Sequence, residues 1–219
     1  MPSRGRFITF EGPEGGGKTT QAQRLVARLG ENGIAAVYTR EPGGTKLGEA
    51  IRSLLQFDGA GEPPCPEAEV LLFAASRAQL VRKVILPQLE KGLWVIADRF
   101  ADSTTAYQGF GRGFSLDDIL RINRFAIDGV APDLTIILDI DVKEGLRRLK
   151  ERHILNGTGL DRLEREDLPF HERIREGYLE LARLYPERIR VVDASKHSDI
   201  VAEEVWALVQ DVCGPSISA

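Results

Sequence analysis

Short runs of consecutive apolar residues alternate along this chain with longer stretches whose apolar positions recur every three or four residues. Phe7-Ile8-Thr9-Phe10 reads as a buried strand. From Thr20 to Leu29, the apolar residues Ala22, Leu25, Val26 and Leu29 follow i, i+3, i+4, i+7 spacing, which predicts a helix with one apolar face. Gly30 and Gly33 mark its end. Ala35 to Thr39 predicts a second strand, followed by the turn Glu41-Pro42-Gly43-Gly44. A long helix is predicted from near Pro66 to about Gln88, because proline is tolerated in a first turn. Trp94 to Ala97, Leu134 to Leu138 and Ile189 to Val192 predict three more strands. Helical patterns lie between them near 115–128, 142–152 and 167–185, and a last helix carries Val201, Val205, Leu208 and Val212.

Five strands separated by helices predict an α/β fold, a five-stranded parallel sheet flanked by helices on both faces with right-handed crossovers. No internal repeat or break in composition divides the chain, so residues 1–219 read as one domain. Two stretches stand outside the sheet, roughly 56–65, rich in Gly and Pro, and roughly 152–167, rich in charge. The second contains the flexible turn signal Asn156-Gly157-Thr158-Gly159 and predicts a mobile lid at about 150–167.

Composition narrows the partners. Of 219 residues, 42% are hydrophobic and 28% charged, an ordinary globular balance. Lys plus Arg is 29 and Asp plus Glu is 33, a net charge of −4 that argues against broad nucleic-acid binding. A local basic site for a small anion remains compatible with it. Cys65 and Cys213 lie far apart, and three histidines are too few for a zinc cluster, so a reducing, cytoplasmic compartment is expected. No apolar run approaches the ~18 to 20 residues needed to cross a bilayer. No signal-peptide core follows Met1 to Arg6, so no membrane association is expected.

Gly12-Pro13-Glu14-Gly15-Gly16-Gly17-Lys18-Thr19 matches the phosphate-loop pattern G-x-x-x-x-G-K-[ST], between a predicted strand and a predicted helix. Glycines let the backbone aim successive N–H groups at an anion, and the helix N-terminus adds its dipole. Lys18 supplies a cation for the β- and γ-phosphates, Thr19 a hydroxyl for Mg2+, and Thr20 belongs to the same nucleotide-binding set. The motif implies ATP or another nucleoside triphosphate. The chain contains no Asn-Lys-x-Asp guanine signature.

Ligands of parallel α/β sheets bind beyond the carboxyl ends of the strands. Those ends deliver Glu11 and Glu14, then Arg40, Glu41 and Pro42, then Asp98, Arg99 and Phe100, and finally Asp139 and Asp141. Arginine grips phosphate with a two-pronged fork, so a second phosphate-bearing substrate is expected. An Asp98–Arg99 structural ion pair is the bland alternative. In the long helix, Arg77 shares a face with Phe73, and together they are suited to hold a flat heterocycle, with the ring packed on Phe73 and Arg77 donating to a carbonyl oxygen. On spacing alone, an arginine whose stem packs and whose head escapes to water fits Arg77 better. Ser103, Thr104, Tyr107 and Gln108 form a polar cluster that reads equally as a solvated helix start. Arg147, Arg148, Lys150 and Arg152 precede the Gly-Asn turn, and Arg162 and Arg165 follow it. A lid arginine there would stabilise charge on a migrating phosphoryl group, but a solvated helix carries such a run too.

Together these residues resemble the thymidylate kinase family over about residues 5–210. The likeness is carried by Phe10-Glu11-Gly12, Thr39-Arg40-Glu41-Pro42-Gly43-Gly44-Thr45, Leu72-Phe73-Ala74-Ala75-Ser76-Arg77, Asp98-Arg99-Phe100, Ala106-Tyr107-Gln108-Gly109 and Gly159-Leu160-Asp161-Arg162-Leu163-Glu164. It implies a P-loop nucleoside monophosphate kinase fold and transfer of the ATP γ-phosphate to dTMP with Mg2+. It also implies roles. Phe73 stacks on thymine, Arg77 binds its O4, and Thr104 and Gln108 contact the base. Tyr107 crowds the 2′ carbon of the sugar, and Glu14 contacts the 3′-hydroxyl. Arg99, oriented by Asp98 near the metal, holds the acceptor phosphate, with Arg40 and Pro42 nearby. Arg152 is the lid arginine of the bacterial subgroup and Arg148 lies against adenine. A homodimer with the long helix in its interface is implied as well.

The chain departs from the family pattern at Phe100, where Tyr or His is usual, at Pro13, and in a lid several residues longer around His153 to Gly159. The competing readings are a kinase for another nucleoside monophosphate, such as uridylate, and a nucleotide-binding switch without catalysis.

Overall fold

In a computed structural model, residues 4–56 and 60–214 are described. Residues 57–59 of the predicted Gly/Pro stretch, and residues 1–3 of the N-terminal reading, lie outside them. The sheet is all parallel with strand order β2-β3-β1-β4-β5, where β1 is Phe7–Glu11, β2 Ala36–Arg40, β3 Trp94–Asp98, β4 Leu134–Asp139 and β5 Ile189–Asp193. Every expected strand is present. Strand β1 is buried along its whole length, as befits a central strand covered on both faces.

Alternation along β1 divides the core. Ile8 and Phe10 face α1 (Lys18–Glu31) and α9 (Ser198–Cys213), packing with Ala22, Leu25, Val205 and Val209. Phe7 faces the opposite way, toward Leu80, Val81, Ile85 and Phe100. These come from α3 (Pro66–Leu80), its π-helical continuation Val81–Ile85, and the turn after β3. A third cluster joins Tyr107 and Ile137 to Phe170, Ile174 and Tyr178 of α8 (Leu168–Leu184).

Three elements depart from the expected pattern. Helix α2 (Lys46–Gln56) occupies a segment for which no helix was expected, burying Ile51 and Leu55. The long helix is interrupted at Val81–Ile85 before α4 (Leu86–Glu90) completes it. After the short α5 (Ala101–Thr104), a second π-helical segment, Thr105–Gly111, carries Tyr107 and Gln108. Such π-helical insertions recur at functional sites. Helices α6 (Leu116–Ile127) and α7 (Val142–Asn156) follow the sequence pattern. Helix α7 reaches beyond the expected 152 and is stopped by Gly157 at φ 64.

Register places the functional strand ends side by side. Phe10 pairs with Asp98, and Arg40 pairs with the same residue from the other side. The carboxyl ends of β1, β3 and β2 therefore open onto one edge. Among the described residues, no helix is long and apolar enough to cross a membrane.

Candidate active site

A cleft of about 240 Å³ opens at that edge. The phosphate loop forms its floor. Gly17 caps α1 in the left-handed conformation at φ 85, where a side chain would be strained. Gly15 at φ 74 lies against α7, and a methyl group there would sit 2.0 Å from the Gly145 carbonyl oxygen. The loop and the helix leading into the lid are thus in backbone contact.

Lys18 is buried and donates to the carbonyls of Gly12 at 3.0 Å and Pro13 at 2.6 Å. Burial, reinforced by the Arg99 cation, pushes its ammonium down to about 8 despite the opposing carboxylates of Glu14 and Asp98. The Thr19 hydroxyl donates to Asp98, which also lies 3.5 Å from the Tyr38 hydroxyl. These oxygens are hard donors of the kind a divalent cation takes.

Arg99 sits at φ 72, a conformation uncommon for a side chain of its size, immediately after β3. It donates to Glu14 at 2.6 Å and to the Tyr107 hydroxyl at 2.9 Å, with Ser103 and Tyr178 each at 3.3 Å. Tyr107 in turn donates to Glu14 at 2.6 Å. Burial alone would raise the Glu14 carboxyl, but the charges of Arg99 and Lys18 outweigh it and hold it down at about 2. The alternative reading of Arg99, a structural ion pair with Asp98, does not hold. Asp98 turns to Thr19 and Tyr38, and Glu14 is the partner of Arg99.

Arg40 and Pro42 line the cleft, Arg40 being held at 2.9 Å by Glu49 of α2. Phe73, Thr104 and Gln108 line it as well. Thr104 and Gln108 are buried, so the solvated reading of that cluster does not hold. Arg152 reaches the cleft from the end of α7, 3.4 Å from Glu164. Thr20 lies at the exposed rim of the nucleotide side.

The reading of Arg77 with its head in water does not hold. Its head neither reaches water nor lines the cleft, being 1% exposed. Nε and Nη2 donate to Glu41 at 2.9 and 2.6 Å, and Nη1 donates to Asn123 at 2.8 Å. Nη2 also approaches Thr104 Oγ1 at 2.9 Å and the Phe100 carbonyl at 3.1 Å. One of the five guanidinium N–H groups, on Nη1, finds no acceptor among the described residues.

Arg148 does not line this cleft. It packs against the loop after β5, donating to the carbonyls of Ala194 at 2.9 Å and Ser195 at 3.2 Å. Asp139 and Asp141 do not enter the site. Arg175 takes Asp139 in two hydrogen bonds of 2.7 and 2.8 Å, and Asp141 caps α7. Glu11 is wholly buried and bonds to the Phe100 N–H at 2.7 Å and to Tyr178 at 3.0 Å. Burial and the neighbouring Asp102 raise it to about 7.

Sequence reasoning missed Arg52 and Gln56, which line the cleft from α2. The spacing of Leu47, Ile51 and Leu55 was the available signal for that helix. It also missed Asp161 and Glu164, which bring the lid segment to the cleft, and nothing in their spacing marks them.

A thymidylate kinase family model matches residues 10–205 of the chain. A thymidylate kinase of Carboxydothermus hydrogenoformans is 49% identical over 211 residues, covering 96% of this chain and 100% of that one. One from Deinococcus radiodurans is 49% identical over 209 residues, covering 95% and 98%. The crystal structure of thymidylate kinase from Ehrlichia chaffeensis matches with a TM-score of 0.73 at 36% identity, covering 94% of this chain and 99% of that one. With its phosphate loop, its arginine clamp and these matches along nearly its whole length, the chain belongs to the thymidylate kinase family.

Proposed function

We propose that this cleft carries out the family's reaction with the residues assembled around it. The chain phosphorylates dTMP to dTDP, using ATP and a divalent metal. One observation carries the reading: a single cleft is lined both by the phosphate loop and by Phe73, Thr104 and Gln108. A nucleotide bound at each of the two sets brings the two phosphate chains together between Lys18 and Arg99.

On the ATP side, Gly12, Pro13, Glu14, Gly15, Gly16 and Gly17 form the loop whose N–H groups bind phosphate, with Lys18 and Thr20 beside them. We assign the metal as Mg2+, held by Thr19 and Asp98, whose oxygens already lie within hydrogen-bond reach of each other. When bound, such an ion neutralises charge on the β- and γ-phosphates. Arg148, packed on the loop after β5, borders the adenine.

On the acceptor side, Arg99 holds the dTMP phosphate, and Arg40 supports it from β2 alongside Pro42. Glu14 and Tyr107 face the sugar, already tied to Arg99. The base stacks on Phe73. Thr104 Oγ1 accepts from Arg77 Nη2, leaving its own proton for a carbonyl such as O4, so Arg77 acts on the base through Thr104. Arg152 enters from a lid at about 150–167 that closes over the phosphates and excludes water.

Leu71 of α3 is 59% exposed and Phe125 of α6 is 88% exposed, large apolar side chains that support a homodimer with the long helix in its interface. We place the enzyme in the cytoplasm, where the exposed thiol of Cys65 would stay reduced. Phe73→Ala tests the assignment of the acceptor side. The KM for dTMP should rise roughly tenfold or more while that for ATP stays near wild type. An equal rise for both would remove the base from this part of the cleft.

A further inference from the structure

Glu69 is a buried carboxylate that the reaction does not use. It lies on α3, 1% exposed, one turn before Phe73. Three side chains converge on it. Gln108 donates from Nε2 to Oε1 at 2.8 Å. Arg112 reaches both oxygens, at 3.3 and 3.2 Å. Arg162, from the lid segment, donates to Oε2 and also to the Leu55 carbonyl at 3.1 Å. Burial would raise the Glu69 carboxyl, but hydrogen bonds from Arg112, Gln108 and Arg162 outweigh it and hold it below the ordinary carboxylate range. It is therefore ionised at neutral pH and can only accept hydrogen bonds.

That constraint has a consequence for Gln108. An amide has one donor end and one acceptor end, and only the donor end can face a carboxylate. Glu69 thus forces the Gln108 nitrogen inward and leaves its oxygen as the group offered to the cleft that Gln108 lines. Among the described residues, no protein donor bonds to that oxygen. One helical turn earlier, Thr104 accepts from Arg77 and keeps its hydroxyl proton to donate. The cleft wall so presents a donor next to an acceptor. Thymine offers the complement, an acceptor O4 beside a donor N3–H, whereas cytosine offers the reverse along that edge.

We propose that Glu69 is a positioning residue that sets the polarity of the Gln108 amide and thereby selects a base with an N3–H group. The inference rests on the reading of Phe73, Thr104 and Gln108 as the base pocket. Arg162 gives it a second consequence, because the same carboxylate that orients the base reader also anchors the lid segment. A purely structural role for Glu69 would lower activity on every acceptor equally.

The test is the ratio of kcat/KM for dTMP to that for dCMP, in wild type, Glu69→Gln and Glu69→Asp. A neutral amide at 69 lets Gln108 turn either way, so the ratio should fall roughly tenfold or more in E69Q, with the KM for ATP unchanged. E69D keeps an acceptor-only group set back by one methylene and should retain more discrimination than E69Q. A ratio equal to wild type in folded E69Q overturns the proposal, and if E69Q does not fold, Glu69→Leu, which also removes the acceptor-only group, decides in its place. N3-methyl-dTMP separates the proposal from the reading beneath it. If wild type accepts it as readily as dTMP, the pocket assignment fails. If wild type rejects it and the variants keep the dTMP/dCMP ratio, only the role of Glu69 fails.

Discussion

Arg77 and Glu41 form a sealed ion pair, with side chains 1% and 3% exposed and Nη2 2.6 Å from Oε2. Burial pushes the Glu41 carboxyl upward, and Arg77 is what opposes it. Removing one member of such a pair leaves the other charge uncompensated in the interior.

Arg77→Ala is therefore expected to destabilise the fold by about 3–5 kcal/mol. At a few degrees per kcal/mol for a chain of this size, Tm should drop by roughly 10 °C. Replacing both residues by methionine should cost less than R77A alone, because no unpaired charge remains. Thermal unfolding of the three proteins checks this, and an R77A protein as stable as wild type contradicts it.

Lys18 gives a pH signature. In the ligand-free enzyme, burial and Arg99 hold its ammonium at about 8, so it loses its charge as pH rises through that value. The kcat/KM for ATP, which reports free enzyme, should fall above about pH 8. Bound phosphates restore the charge, so kcat should hold to higher pH. Lys18→Ala should lose at least about a hundredfold in kcat and the kcat/KM decline with it. Parallel pH profiles of the two constants decide the point.

Arg152 lies 3.4 Å from Glu164 at the end of α7 and is 55% exposed. An arginine that reaches the phosphates only on closure contributes in the transition state rather than the ground state. Arg152→Ala should lower kcat about a hundredfold or more with little change in the KM for dTMP. Single-turnover rates at saturating substrates read the chemical step, and an unchanged rate would pass the role to another lid arginine.

Much of this was legible in the chain. The strands, the phosphate loop and the sheet edge followed from apolar runs, glycine spacing and the geometry of parallel sheets. Which carboxylate meets which arginine did not. Asp98 and Arg99 are neighbours in sequence, but residues adjacent on a strand end diverge, and the left-handed backbone at Arg99 sends its side chain to Glu14 instead. Arg77 sat in an apolar stripe, and its partner lies on a loop 36 residues away, beyond the reach of any local pattern. Asp139 and Asp141 stood at the correct edge, but Arg175 and the start of α7 claimed them. The π-helical segment Thr105–Gly111 shifts the turn on which Gln108 sits, and its sequence gives no periodic sign of that shift.

Transfer to thymidylate is tested most directly by following ADP formation from Mg·ATP with dTMP, dUMP, UMP, AMP, GMP and CMP in parallel. A thymidylate kinase with this pocket gives its highest kcat/KM with dTMP, a lower one with dUMP and far lower ones with the ribonucleotides and purines. Preference for a purine monophosphate, or no transfer to any acceptor while ATP still binds, would contradict it.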